Sequence, residues 1–272
     1  TAFAEKCPQL EELSLDCHQL TDQSVIALAQ YCSRLKMFKL NGGTYTAASL
    51  IALSERGLPL KELDTILWIP ITSAEIATQC AHALSRIREL NTQYIDGSVV
   101  DMRYAIQYMT GLRELYLDSS EDHLLVPHLL LLQGQCCAGL ESLSVGSQSS
   151  ITPQQLCELL RWCLQLQTLY IDKPACTSDA VLVELSRSCP HLKKVTLNSS
   201  EMTEEGMLSL GAHCRQLREL YIPYTTITEE TVRQLAQHCP HFTKLLVIVR
   251  KGKGTALHSY QYSNREIRAV GL

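Results

Sequence analysis

The chain has 272 residues, of which 46% are hydrophobic and 19% charged, with a formal net charge of −4. This is a globular composition, too apolar for a disordered chain and of the wrong sign for a general binder of nucleic acid or anionic membranes. No stretch is long and apolar enough to span a bilayer: the richest, 124–132, is interrupted by Pro127 and His128, and the first residues lack the charged and apolar regions of a signal peptide.

Twelve cysteines are many for a reducing compartment and few for a disulfide-stapled chain. Their spacing accounts for them. Cys7, Cys32, Cys137, Cys163, Cys189, Cys214 and Cys239 each stand three residues before a leucine or phenylalanine. A recurrence at 25 or 26 residues marks an internal repeat. The recurring phrase is L-x-x-L-x-L, starting in chain order at residues 10, 35, 60, 87, 112, 140, 166, 192, 217 and 242. Its first copy is Leu10, Leu13, Leu15 and its last is Phe242, Leu245, Val247.

Each phrase ends in period-two alternation, the mark of a short strand with one buried face. A helix start follows most strands, at Leu20-Thr21-Asp22, Ile71-Thr72, Ile151-Thr152-Pro153, Met202-Thr203-Glu204 and Ile227-Thr228-Glu229. Threonine at that place predicts an N-cap, its hydroxyl accepting a backbone N–H of the first turn. Thr152 to Gln155, and Thr72 to Glu75, have the spacing of a capping box. Helical period follows: Val25, Leu28, Ala29 and Cys32, then Leu156, Leu159, Leu160 and Cys163, then Val232, Leu235, Ala236 and Cys239. The cysteine therefore ends the buried stripe.

A strand–loop–helix–loop unit cannot bury both faces alone, so units must stack. The expected architecture is α/β: about ten strand–helix repeats in a horseshoe-shaped solenoid, with a parallel sheet on the concave side. Residues 1–249 form this domain and 250–272 a tail or partial cap. Phe3, Ala4 and Cys7 repeat the spacing of Leu28, Ala29 and Cys32, so the chain is expected to begin inside a helix whose own strand lies upstream. Gly57, Leu84 and Met109 replace the helix-end cysteine in the third to fifth repeats, which makes the middle of the stack its least regular part.

The run Cys7-Pro8-Gln9-Leu10-Glu11-Glu12-Leu13-Ser14-Leu15-Asp16-Cys17-His18-Gln19-Leu20-Thr21-Asp22 resembles the cysteine-containing leucine-rich repeat, C-P-x-L-x-x-L-x-L-x-x-C-x-x-(L/I)-T-D. Cys189-Pro190-His191-Leu192 and Cys239-Pro240-His241-Phe242 repeat its opening, while Cys17 alone fills the second cysteine position. The resemblance is to the repeat domain of F-box leucine-rich-repeat proteins, substrate receptors of Skp–cullin–F-box ubiquitin ligases. It implies a protein-binding scaffold that is not an enzyme and needs no cofactor. It also implies Skp and cullin partners reached through an upstream F-box, and a cytoplasmic or nuclear location. A second reading is a non-ligase adaptor, or a regulator of a GTPase or of a cell-cycle pathway.

Signatures of catalysis are missing. There is no nucleophile elbow, HExxH or P-loop, and Gly252-Lys253-Gly254-Thr255 has the wrong spacing for the last. His238-Cys239-Pro240-His241 looks ligand-like, but on a helix end Cys239 should face the core while His238 faces out, so no metal is expected.

Positions two, four and six after the first leucine face away from the strand's buried side. Those positions hold Glu62, Asp64, Glu89 and Asn91 in the third and fourth repeats, Glu114, Tyr116 and Asp118 in the fifth, and Tyr170, Asp172 and Tyr221 in later ones. The three tyrosines share one column, two repeats apart. Tyrosine offers a large contact area at small entropic cost, so this face is the expected partner-binding surface, and its acidic half is expected to take a basic segment.

Overall fold

The computed structural model describes residues 2–17, 19–41, 43–65, 71–94, 102–132, 134–198, 203–225, 228–250, 257–263 and 266–271. The chain divides into two compact units, residues 1–115 with 127–136, and 116–126 with 137–272.

The first unit opens with helix α1 (Ala2–Lys6) and continues β1 (Glu12–Asp16), α2 (Asp22–Tyr31), β2 (Met37–Asn41), α3 (Ala47–Glu55) and β3 (Glu62–Thr65). The three strands are parallel and in phase: Leu13 pairs with Phe38, and Phe38 with Leu63. A single bridge from Leu63 to Ile87 carries the alignment onward, past α4 (Ala74–Gln79) and α5 (Ala81–Leu84), to β4 (Glu89–Asn91). After α6 (Met102–Ala105), β5 (Glu114–Leu117) runs on into the second unit.

The second unit is more regular. After α7 (Asp122–Leu131), whose residues are divided between the units at 126, come β6 (Ser142–Val145), α8 (Pro153–Leu160), β7 (Thr168–Ile171), α9 (Asp179–Ser188), β8 (Lys194–Leu197), α10 (Glu204–His213), β9 (Glu219–Thr225), α11 (Glu229–His238) and β10 (Lys244–Arg250). Strands β6 to β10 are parallel in chain order, and Leu143, Leu169, Val195, Leu220 and Leu245 form one row across them. All five are buried. Helices α8 to α11 pack each on the next. This is the leucine-rich-repeat solenoid that the L-x-x-L-x-L phrase predicts.

At the end of that sheet β11 (Leu257–Ser263) pairs antiparallel with β10, and β12 (Glu266–Gly271) antiparallel with β11. Among the described residues the tail thus adds a hairpin, with neither the parallel strand nor the helix of an eleventh repeat.

Two devices tie neighbouring repeats together. The first is the helix-end cysteine. The thiol of Cys32 reaches the carbonyl of Cys7 (3.4 Å), that of Cys189 the carbonyl of Cys163 (3.6 Å), that of Cys214 the carbonyl of Cys189 (3.7 Å), and that of Cys239 the carbonyl of Cys214 (3.6 Å). Each of these carbonyls, at the end of the preceding helix, also accepts the backbone N–H three residues on, so the thiol adds a second bond that joins one repeat to the next. Burial pushes Cys189 and Cys214 up to about 12 and Cys239 up to about 11, so these thiols stay protonated donors. All twelve cysteines are free. Six of the seven helix-end cysteines are buried as expected; Cys7, in α1's turn, is half-exposed.

The second device lies at the helix starts. Thr152 forms the expected capping box with Gln155. Thr203 caps α10 by accepting from the Glu205 N–H, and Thr228 caps α11 by accepting from the Thr231 N–H. The acid after the cap does a separate job. Asp179, first residue of α9, accepts from the backbone N–H of Thr203 (3.0 Å) and from its hydroxyl (2.7 Å). Glu204, first residue of α10, accepts from the Thr228 N–H (2.8 Å), and Asp22, first residue of α2, accepts from Thr46 and Ser49. Each carboxylate sits at its own helix's positive end and holds the next repeat's cap.

Two capping expectations fail. Thr21 occupies the N-cap position of α2 but its side chain makes no cap bond. The fourth repeat is capped by Ser73, which accepts from the Ile76 N–H, so the Thr72–Glu75 box does not form. Serine one place nearer the helix meets the same need. Ala236 is also only partly buried, unlike the rest of its stripe.

Where the helix-end cysteine is missing, other residues fill its position, and Arg88 supplies a tie at other carbonyls. Gly57 closes α3 with φ +55, which a residue with a Cβ adopts at a cost. Leu84 and Met109 fill the core in its place. Arg88 spans two repeat boundaries, its Nε donating to the Lys61 carbonyl (3.2 Å) and its Nη1 to the Gly111 carbonyl (2.7 Å).

Candidate functional site

In each unit the strand positions that alternate with the buried leucines hold residues singled out in the sequence, five in residues 1–115 and five in 116–272. In the first unit, register sets Glu62 beside Met37 and Asp64 beside Lys39. Lys39 makes an ion pair with Glu62 (3.3 Å), so this acid is met by a cation of the same face. Glu89 is exposed, Asn91 is half-buried and accepts from the Gln93 N–H, and Glu114 is half-buried. The side chain of Asp64 lies outside the described residues.

In the second unit the columns stand in register. Ser142, Thr168, Lys194, Glu219 and Lys244 form one row, and Ser144, Tyr170, Thr196 and Tyr221 the next. Glu219 lies between two lysines, 3.1 Å from Lys244 and 3.7 Å from Lys194. The Lys244 hydrogen bond, aided by both charges and opposed by slight burial, holds Glu219 below the ordinary carboxylate range. Spacing alone gave no hint that both lysines would turn onto one acid. The signal was available only through register: positions 194, 219 and 244 are equivalent in successive repeats.

Tyr170 is the most exposed member of the tyrosine column, at 40%, while Tyr116 and Tyr221 are half-buried. Partial burial raises the Tyr170 hydroxyl above its ordinary value, and the nearby Asp172, Asp118 and Tyr221 add to this. Asp172 accepts from the neutral side-chain amide of Asn198. Asp118 accepts from the Gln148 N–H (2.9 Å), and a Cβ at Gly146 would strike its carboxylate at 2.0 Å. Gly146 therefore makes room for Asp118 to lean across toward the next repeat. The sequence shows this glycine in the sixth-position column without showing its purpose.

The ligand-like run at the end of α11 does not converge. Cys239 is buried with its thiol on the Gly211 and Cys214 carbonyls, whereas His238 and His241 are exposed. Among the described residues no group of three or more His, Cys, Asp or Glu could hold a metal ion. Thr92 is a buried core residue, as its place in the fourth phrase predicts; the side chain of its counterpart Thr65 lies outside the described residues.

No protein-family model and no curated protein match the sequence. Several solved structures are similar in fold. An internalin from Listeria monocytogenes matches at 15% identity and a TM-score of 0.48 over 92% of this chain; the chain spans 64% of that internalin's length. The leucine-rich repeat-containing protein LegL7 from Legionella pneumophila matches at 16% identity and a TM-score of 0.49, over 90% of this chain and 85% of that one. A chain of the yeast Rad7 and Elc1 complex matches at 15% identity and a TM-score of 0.42, over 92% of this chain and 81% of that one. At such low identity and scores the fold assignment rests on the register and repeat contacts described above.

Proposed function

We propose that the chain is a protein-binding scaffold that engages its partner on the open sheet face. The observation that carries the reading is the in-register row of Ser144, Tyr170, Thr196 and Tyr221, with Tyr170 exposed on a parallel sheet. Solvent alone gives no reason to set a large aromatic there, whereas protein interfaces are enriched in tyrosine. The finer reading is the substrate-recognition part of an F-box leucine-rich-repeat subunit of a ubiquitin ligase, working in the cytoplasm or nucleus. Its support is the resemblance of the cysteine-bearing repeat, near-literal in residues 7–22.

Two experiments test the two levels. A photo-crosslinking residue placed at 170 or 221 should capture one and the same protein in cells, and one placed at Trp162, on the helix-end loop, should not. Capture from position 162 alone moves the site off the sheet. For the ligase level, the complete protein is mixed with purified Skp and cullin subunits and run by gel filtration. A stable complex is expected; separate elution favours the non-ligase adaptor.

A further inference from the structure

Resting on that reading, the geometry points to the class of group this face recognises: we infer that the step over Thr196, between Tyr170 and Tyr221 and beside Asp172, takes an arginine side chain of an extended partner segment. Tyr170, Thr196 and Tyr221 lie on three successive strands in one row. Two strand spacings separate the tyrosines, about 10 Å. A cation midway between them lies about one strand spacing, roughly 5 Å, from either strand, which is within the roughly 6 Å reach of cation–π attraction for rings that stand out from the sheet. Thr196 is short enough to leave that step open.

Charge on the face is divided by position along the strands. At the strand starts Lys194 and Lys244 both turn onto Glu219. Toward the strand ends stand Asp118 and Asp172, and the Asp172 carboxylate is held by a neutral amide, that of Asn198, which orients it without cancelling its charge. Both carboxylates are close enough to act on the Tyr170 hydroxyl. A cation entering over Thr196 therefore stands between two tyrosines and beside a carboxylate, while Lys194 and Lys244 are already engaged by Glu219. Arginine fits better than lysine. Its planar, weakly hydrated guanidinium stacks on aromatic rings and bonds a carboxylate through two parallel N–H groups, and a strongly hydrated ammonium does neither.

The test is selection of random peptides displayed on phage against the whole chain. Arginine should be enriched at one fixed position. In a synthetic copy of the selected peptide, arginine to lysine should weaken binding about tenfold, and Tyr170→Ala or Asp172→Asn in the protein should each weaken it about tenfold or more. Tyr170→Phe keeps the ring and should stay within about twofold, which separates a role of the ring from one of the hydroxyl. Equal enrichment of lysine, failure to select any peptide, or peptides indifferent to both Tyr170→Ala and Asp172→Asn would each overturn the inference. Peptides that respond to Glu62, Glu89 or Glu114 but not to Tyr170 and Asp172 would leave the scaffold reading standing without the arginine step. Peptides that respond to no residue of the sheet face would remove both.

Discussion

The stretch from Cys137 to Cys239 and the stretch from Gly57 to Arg113 solve one problem in two ways. In both, a side chain ties one repeat to a backbone carbonyl of its neighbour. In the first stretch repeats recur every 25 or 26 residues, and the thiols of Cys189, Cys214 and Cys239 each reach the carbonyl of the preceding helix-end cysteine, while that of Cys163 bonds the Leu159 carbonyl of its own helix. In the second the cysteine position holds Gly57, Leu84 and Met109, and Arg88 reaches two carbonyls belonging to different repeats. The thiols reach one repeat back, whereas the arginine reaches one carbonyl in the repeat before it and one in the repeat after it. Regular contacts are also mutually equivalent, whereas one side chain, Arg88, serves two carbonyls at once.

The largest expected effect breaks the thiol row. Cys189→Arg puts a cation where the side chain is fully buried, and should cost about 4 kcal/mol in urea denaturation. Cys7→Arg, at the half-exposed end of the same row, should cost under about 1 kcal/mol. Equal losses would mean that the row does not distinguish interior from end. The same contrast governs reactivity. A thiol reagent should label half-exposed Cys7, Cys17 and Cys157 first, and Cys189, Cys214 and Cys239 only on unfolding.

Next comes the substitute. Arg88→Ala should cost about 2 kcal/mol, and Arg88→Lys should rescue little, because one ammonium cannot serve two carbonyls on opposite sides. Full rescue by lysine would show that charge, not reach, matters there.

The helix starts give smaller effects. Gly206→Ala would ordinarily favour α10, but its Cβ would lie 2.4 Å from Asp179 Oδ1 and 2.9 Å from Leu182. It should therefore destabilise by about 1 kcal/mol, and the loss should shrink when combined with Asp179→Ala. A simple sum of the two losses in the double variant would disconnect Asp179 from α10.

The smallest effect is a pH dependence. Burial alone would raise Asp22, but the hydrogen bonds from Ser49 and Thr46 outweigh it and leave it below its ordinary value. Hydrogen bonds from Thr228 and Thr231 lower Glu204. Both groups bind protons less readily folded than unfolded. Their contribution is complete above the ordinary carboxylate range, about pH 4 to 5, and is lost as pH falls through the lowered folded values. Thermal denaturation across that window should show this loss diminished in Asp22→Asn. An unchanged pH profile in that variant would detach the carboxylate from the cap it holds.

The repeat was legible because it is written ten times: a leucine missed in one phrase is supplied by the next. Strand phase, the buried stripe and the caps at Thr152, Thr203 and Thr228 follow from local chemistry and could be read residue by residue. Contacts between repeats could not. Arg88 reads as an ordinary surface arginine, and nothing near it in sequence tells that Lys61 and Gly111 lie on either side. The same holds for the candidate site. Its columns were legible from period two, but the turn of Lys194 and Lys244 onto Glu219, and the space that Gly146 leaves for Asp118, depend on register across strands. Thr21 shows the opposite error, a local rule that the structure does not use.

The threonine–acid pair at the helix starts bears on how such a chain can change length. In Thr203-Glu204 the threonine closes its own helix and the acid receives the threonine of the following one, and Thr228-Glu229 stands in the same place one repeat on. Every junction of this kind has a donor side and an acceptor side of constant chemistry. Duplication or loss of one whole unit joins a donor side to an acceptor side again, whereas an insertion of a few residues leaves an unmatched half on each flank. Gene rearrangements in steps of one repeat are therefore the changes that this stack can absorb.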